Sequence, residues 1–203
     1  MMLKICGMKF PENIREIEQV RPDWMGFIFY PRSPRFIADL SPLDMPESVN
    51  TVGVFVNESI AFVREKVQQY NLSAVQLHGH ESPEYCADLS GLDIPVWKAF
   101  GVDDEFDFQV CLAYSPYCKY FLFDTKSQQF GGSGKVFSWE KLSDYHGDTP
   151  FFLSGGISPA NMSFLPSFSH PRFAGIDVNS GFEDYPGFKN FSKLNLLKSE
   201  LFS

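Results

Sequence analysis

Cys6, Arg35, His78, Asp124 and Asp177 share one kind of place in this chain: each stands at, or a few residues beyond, the end of a short apolar run. A thiol and a carboxyl presented from two such ends could act as base and acid in a proton transfer. Neither is ready for that work unaided. A cysteine with an ordinary pKa near ~8.5 is only a few per cent thiolate at neutral pH, so Cys6 needs a positive neighbour. An aspartic acid with a pKa near ~3.9 holds its proton about once in a thousand at pH 7, so Asp124 needs burial to serve as an acid. Raising that pKa by about three units costs on the order of 4 kcal/mol. From position alone, Cys6 reads more simply as a buried packing thiol, and Asp124 equally as a loop-capping residue.

Two further places suit an anion. Ser154-Gly155-Gly156 and Asn179-Ser180-Gly181 would each set backbone N–H groups near the start of a helix, with little side chain to obstruct a phosphate. Tight turns that need positive φ are the competing explanation. Arg35 could hold a carboxylate with its two-pronged donor, but Arg32 is an equal competitor by spacing. His78 suits a ligand hydroxyl or a strand-end carbonyl alike. The loop after Asp124, with Gly131, Gly132 and Gly134, is expected to be a mobile cover over the site. Cys86, Cys111 and Cys118 have neither CxxC nor His-rich spacing, so no zinc site or disulfide framework is expected, and they read as packing thiols.

Eight apolar or aromatic runs could position these groups: LKICG, WMGFIFY, TVGVFV, SAVQLHG, PVWKAFG, YFLFDT, PFFLSGG and FAGIDVNSG. Most are near-continuous rather than alternating, as strands buried on both faces are. Segments with helical spacing or start signals separate them, at 11–20, 58–70, 82–90, 103–114, 138–145, from Ser158 onward, and at 191–202. Residues 38–48 carry Pro42 and Pro46 and allow only a short connector. This rhythm predicts a parallel (β/α)8 TIM barrel filling residues 1–203 as a single domain. An open doubly wound sheet is the alternative, but no GxGxxG follows the first strand. In a barrel, chemistry sits at the C-terminal strand ends and phosphate often on the loops after strands seven and eight. Those are the places the residues above occupy.

Composition narrows the partners. A net charge of -8 and the lack of a basic run with interleaved aromatics argue against nucleic acid. No stretch reaches the roughly 18 apolar residues of a membrane span, and the N-terminus shows no secretory signal, so a cytoplasmic location is expected. A small anionic molecule needs only a local pocket. A monomer is the default expectation, with a homodimer left open.

Taken together, KICGM, GFIFYPRSPR, VGVFVN, QLHGHE, FDTKSQQFGGSGKVFSW, SGGISPANM and GIDVNSGFEDYPGFKN closely resemble the phosphoribosylanthranilate isomerases of tryptophan biosynthesis, from Lys4 to about Asn190. The resemblance implies an Amadori rearrangement of an aldose amine to its ketose, with Cys6 as general base and Asp124 as general acid. It also implies Arg35, rather than Arg32, on the anthranilate carboxylate. His78 and Asp177 are implied to meet ribose hydroxyls, and Gly155, Gly156, Ser180 and Gly181 to hold the phosphate. No metal or organic cofactor is called for. The departures are mild: Ser133 where Thr is common, Ser138 where Asp is frequent, and Ser154 where Ala is usual. Another phosphate-binding barrel isomerase, such as the histidine-pathway type, would present Asp where Cys6 stands. An inactive barrel kept as a scaffold is the reading from a different class.

Overall fold

The computed structural model describes residues 1–125 and 139–201. All eight apolar runs form strands: β1 (Met2–Cys6), β2 (Trp24–Ile28), β3 (Asn50–Phe55), β4 (Ala74–Leu77), β5 (Val96–Val102), β6 (Tyr120–Thr125), β7 (Phe151–Ser154) and β8 (Phe173–Val178). They pair in chain order, every pair parallel, and β8 returns to β1 to close a barrel. The fold is thus the TIM-type (β/α)8 barrel and not an open sheet.

Alternation along the strands sorts side chains into two cores. One, inside the barrel, contains Val52, Ala74, Trp97, Ala99, Leu122 and Phe152. Trp97 fills it by stacking on Phe152, with ring centroids 4.8 Å apart, and by meeting Trp24 and Tyr120 edge-on. The larger core lies between the strands' outer faces and the surrounding helices. Stepping two residues along a strand keeps the inner face and moves toward the C-terminal rim. Met2 is followed inward by Lys4 and Cys6, Ala74 by Gln76, Leu122 by Asp124, and Phe152 by Ser154.

Strand β8 breaks this rule once. Phe151 pairs with Phe173, whereas Phe152 pairs with Gly175, so β8 carries one extra residue at Ala174. The slip turns Asp177 inward, although it stands an odd number of residues beyond the inward-facing Ala174. Gly175 makes it feasible, since a Cβ there would lie 2.2 Å from the Met2 carbonyl oxygen.

Among the described residues four α-helices lie outside: α1 (Pro11–Glu18), α2 (Ile60–Tyr70), α3 (Pro83–Leu89) and α4 (Phe191–Leu201). Pro11 opens α1, and the Ser59 and Ser82 hydroxyls cap α2 and α3 by accepting from Phe62 N and Tyr85 N. The helices expected at 103–114, at 138–145 and after Ser158 are instead short 3-10 turns, Phe108–Ala113, Trp139–Asp144 and Met162–Ser167. Each is only six residues long, and the last contains Pro166. A 3-10 turn rises about 2 Å per residue, so a short connection still spans the outside of the barrel. After β8 a 3-10 turn, Ser180–Phe182, leads into a hairpin of β9 (Glu183–Tyr185) and β10 (Phe188–Lys189). Asn13 of α1 clamps this hairpin, donating to the Lys189 carbonyl at 2.9 Å and accepting from its N–H at 2.7 Å.

Candidate active site

Cys6 ends β1 and is 4% exposed. Its neighbour on the same face, Lys4, is fully buried and donates from Nζ to Asp177 Oδ1 at 2.8 Å. Asp177 receives the Ser154 hydroxyl on its other oxygen at 3.2 Å. Strands β1, β8 and β7 therefore contribute one polar chain within an apolar barrel. Burial alone would lower the Lys4 ammonium, but Asp177 and Cys6 outweigh it and hold its pKa above the ordinary value. Lys4 is therefore charged at neutral pH. Burial pushes the Cys6 thiol up, and Lys4 draws it back only in part. Asp177 adds to the rise and Lys189 opposes it.

A second charged group stands at the same rim. Arg35 donates from Nε and Nη2 to Glu183, at 2.9 and 2.6 Å, and Lys189 donates to Glu183 Oε1. Lys189 also donates to Asn179 Oδ1 at 2.7 Å. The hydrogen bonds to Glu183 raise Arg35 further. Burial favours a neutral Glu183, but Arg35 and Lys189 prevail and hold it below the usual carboxylate range. Burial lowers Lys189 despite its carboxylate partner. Two cations on one carboxylate leave an excess of positive charge here, in a chain whose net charge is -8. Gly7 lets the two groups meet: its φ is +77°, and a Cβ on it would stand 2.6 Å from Arg35 Cδ and 2.8 Å from Asn179 Oδ1.

Asp124 lies on the inner face of β6, and its side chain is 38% exposed. Among the described residues its charged partner is a ring, His78 Nε2, 3.4 Å from Oδ2. Gln76 Nε2 lies 3.0 Å from His78 Nδ1. With that amide as donor, the imidazole proton sits on Nε2 and points at Asp124. His78 thus meets the Asp124 carboxyl and the Gln76 amide rather than a strand-end carbonyl.

The two glycine turns come together, though neither heads an α-helix: Gly155 and Gly156 form a bend, and Ser180 and Gly181 open a 3-10 turn. Gly155 and Gly156 have φ of 89° and 65°, conformations that favour glycine. Ser180 and Gly181 begin the 3-10 turn Ser180–Phe182. A Cβ on Gly181 would lie 2.3 Å from the Ile157 carbonyl, so the loops after β7 and β8 touch at that point. Gly131, Gly132, Ser133, Gly134 and Ser138 lie outside the described residues, and with them the expected cover.

Sequence reasoning missed Lys4, Gln76, Glu183 and Lys189. For Lys4 the signal was available: a lysine two residues before Cys6 in a strand otherwise apolar must share its face. For Glu183 and Lys189 no local signal exists, because only the hairpin brings them to Arg35. Cys86, Cys111 and Cys118 are buried away from this rim, as packing residues would be. Among the described residues no group of three or more His, Cys, Asp and Glu is placed to hold a metal ion, and no helix is long and apolar enough to cross a membrane.

A family model described as PRAI, N-(5'-phosphoribosyl)anthranilate (PRA) isomerase, matches residues 3–199. The N-(5'-phosphoribosyl)anthranilate isomerase of Phocaeicola vulgatus is 46% identical over 201 residues, covering 99% of this chain and 98% of its own. The one from Parabacteroides distasonis is 47% identical, covering 96% and 90%. Among solved structures, phosphoribosyl anthranilate isomerase from Thermotoga maritima superposes with a TM-score of 0.81 at 36% identity, covering 97% of this chain and 96% of that one. A phosphoribosyl anthranilate isomerase in complex with reduced 1-(o-carboxyphenylamino)-1-deoxyribulose 5-phosphate does so with a TM-score of 0.81 at 32% identity, covering 98% and 97%. A further Thermotoga maritima structure, of monomers generated from a dimeric form of that enzyme, has a TM-score of 0.79 at 32% identity and covers 97% and 96%.

Proposed function

Because the chain belongs to the N-(5'-phosphoribosyl)anthranilate isomerase family, we propose that it converts N-(5-phosphoribosyl)anthranilate to 1-(2-carboxyphenylamino)-1-deoxyribulose 5-phosphate in tryptophan biosynthesis. The observation that carries the reading is the barrel rim itself. A buried thiol beside a buried ammonium and a carboxyl beside an imidazole both face inward, with excess positive charge and two touching glycine turns around them.

In this reading the reaction begins with Asp124 giving its proton to the ribose ring oxygen. The C1–O bond breaks, and the anilino nitrogen supplies the electron pair that forms the C1 iminium. Cys6, as thiolate, then removes the proton from C2, and the released electrons neutralise the iminium to give an enolamine. Ketonisation, in which C1 gains a proton and the C2 hydroxyl loses one, completes the isomerisation. Asp124 is left ionised and Cys6 protonated, so one proton must be exchanged back through solvent before the next turnover. The iminium is its own electron sink, so no cofactor enters these steps.

Arg35 and Lys189 suit the anthranilate carboxylate, and Gly155, Gly156, Ser180 and Gly181 suit the phosphate. Asp177, with both oxygens engaged by Lys4 and Ser154, is better suited to holding the site's charge than to a ribose hydroxyl. One domain over residues 1–203 and action as a monomer or homodimer in the cytoplasm complete the reading. The test is the decay of phosphoribosylanthranilate fluorescence, with substrate formed in situ, on adding purified protein. Acceleration over the spontaneous rate supports the assignment; an unchanged rate would overturn it in favour of a scaffold.

A further inference from the structure

We propose that Lys4 is a positioning residue that sets the charge state of Cys6, and that Asp177 opposes it, so that the two residues tune the thiol in opposite directions. The inference deepens the reading of Cys6 as general base and rests on it. Lys4 and Cys6 alternate onto the same inner face of β1. A Cβ built on Gly26 of the neighbouring strand would stand 3.2 Å from Lys4 Nζ and 2.7 Å from Cys6 Sγ, so ammonium and sulfur border the same small space. The lysine is wholly enclosed, and one of its donors goes to Asp177. Sharing that space, the ammonium acts on the Cys6 sulfur at short range and through an interior that screens charge poorly.

The sign of each contribution follows from charge alone. Lys4 favours the anionic thiolate, whereas Asp177 is a second anion that disfavours it and partly neutralises the ammonium. Ser154 holds the remaining Asp177 oxygen and so keeps Oδ1 for Lys4. A purely structural ion pair would behave otherwise: loss of either partner would disturb the strand ends in the same sense.

The Cys6 thiolate can be titrated without substrate, from the ultraviolet thiolate absorbance of each protein minus that of its Cys6→Ser counterpart. For Lys4→Met the midpoint is expected to rise by about one pH unit or more, or about tenfold less thiolate at neutral pH. Lys4→Arg should restore most of the shift, and Asp177→Asn should move the midpoint down. An unmoved midpoint in Lys4→Met, or a rise in both Lys4→Met and Asp177→Asn, overturns the proposal. Turnover of Cys6→Ala is a separate matter. Retained activity there would remove Cys6 as base while leaving the titration result intact.

Discussion

Arg35 and Glu183 are joined by two nitrogens of the guanidinium, Nε at 2.9 Å and Nη2 at 2.6 Å, and the same carboxylate also receives Lys189. The arginine expected to grip a substrate carboxylate therefore already grips one of the protein's own. The contact fixes the direction of its plane, and among the described residues none engages Nη1, the edge that a ligand could meet.

Arg35→Met should then raise KM for the anthranilate-bearing substrate about 10- to 100-fold, the size of one or two lost charge-assisted hydrogen bonds. Inhibition by ribose 5-phosphate should change little. Equal losses for both ligands, measured by steady-state kinetics, would mean that Arg35 does not meet the carboxylate.

Cys6→Ala and Asp124→Asn should each lower kcat by roughly 10²- to 10⁴-fold, the usual contribution of one acid or base. Melting temperatures should stay near wild type, since neither side chain anchors the strand pairing. Near-normal turnover in either variant would remove the role assigned to that residue.

The Cys6 thiol is pushed up by burial, so at neutral pH the free enzyme holds most of it protonated. The reactive form is the thiolate, and its fraction grows as pH rises toward the folded pKa. The rate of inactivation by iodoacetamide, which needs the Cys6 thiolate but no acid partner, should accordingly climb from pH 6 through about pH 8.5, the ordinary cysteine value, without a plateau. A flat inactivation profile between those limits would contradict a thiol pushed up by burial.

Glu183 is held below the usual carboxylate range in the fold, chiefly because Arg35 and Lys189 overcome the penalty of burial. A depressed carboxylate contributes stability that is fully present above its unfolded pKa near ~4.3 and is lost as pH falls through the folded value. Glu183→Gln should be less stable than wild type at pH 7, with a difference in melting temperature that narrows as the pH is lowered toward 3. A constant difference across that range would show that the carboxylate's charge is not what matters.

Gly26→Ala tests how tightly the base is enclosed. The new methyl would lie 2.7 Å from Cys6 Sγ and 3.1 Å from Cys6 Cα, and the strand backbone leaves little room to give. A loss of about 1–3 kcal/mol in stability is expected from such overpacking, together with a fall in kcat. Unfolding in urea and turnover read the two effects separately.

The local features of this protein were legible in its residues. Eight near-continuous apolar runs specify strands buried on both faces, and their spacing leaves room for a closed parallel barrel. Strand ends could be read directly, which is why Cys6, His78, Asp124 and the glycine turns were found at the rim. Helical content was overread, because six-residue segments between strands can close as 3-10 turns once the barrel fixes their ends. What only the tertiary structure decided was the partner of each buried charge. Lys4 finds Asp177 across 173 residues because β8 closes beside β1 and a one-residue bulge turns the aspartate inward. Arg35 finds Glu183 across 148 residues because the final hairpin folds back over the rim. Periodicity assigns a face within one strand, but the identity of the charge opposite depends on which strand lies alongside and in what register, and that is settled only when the barrel closes.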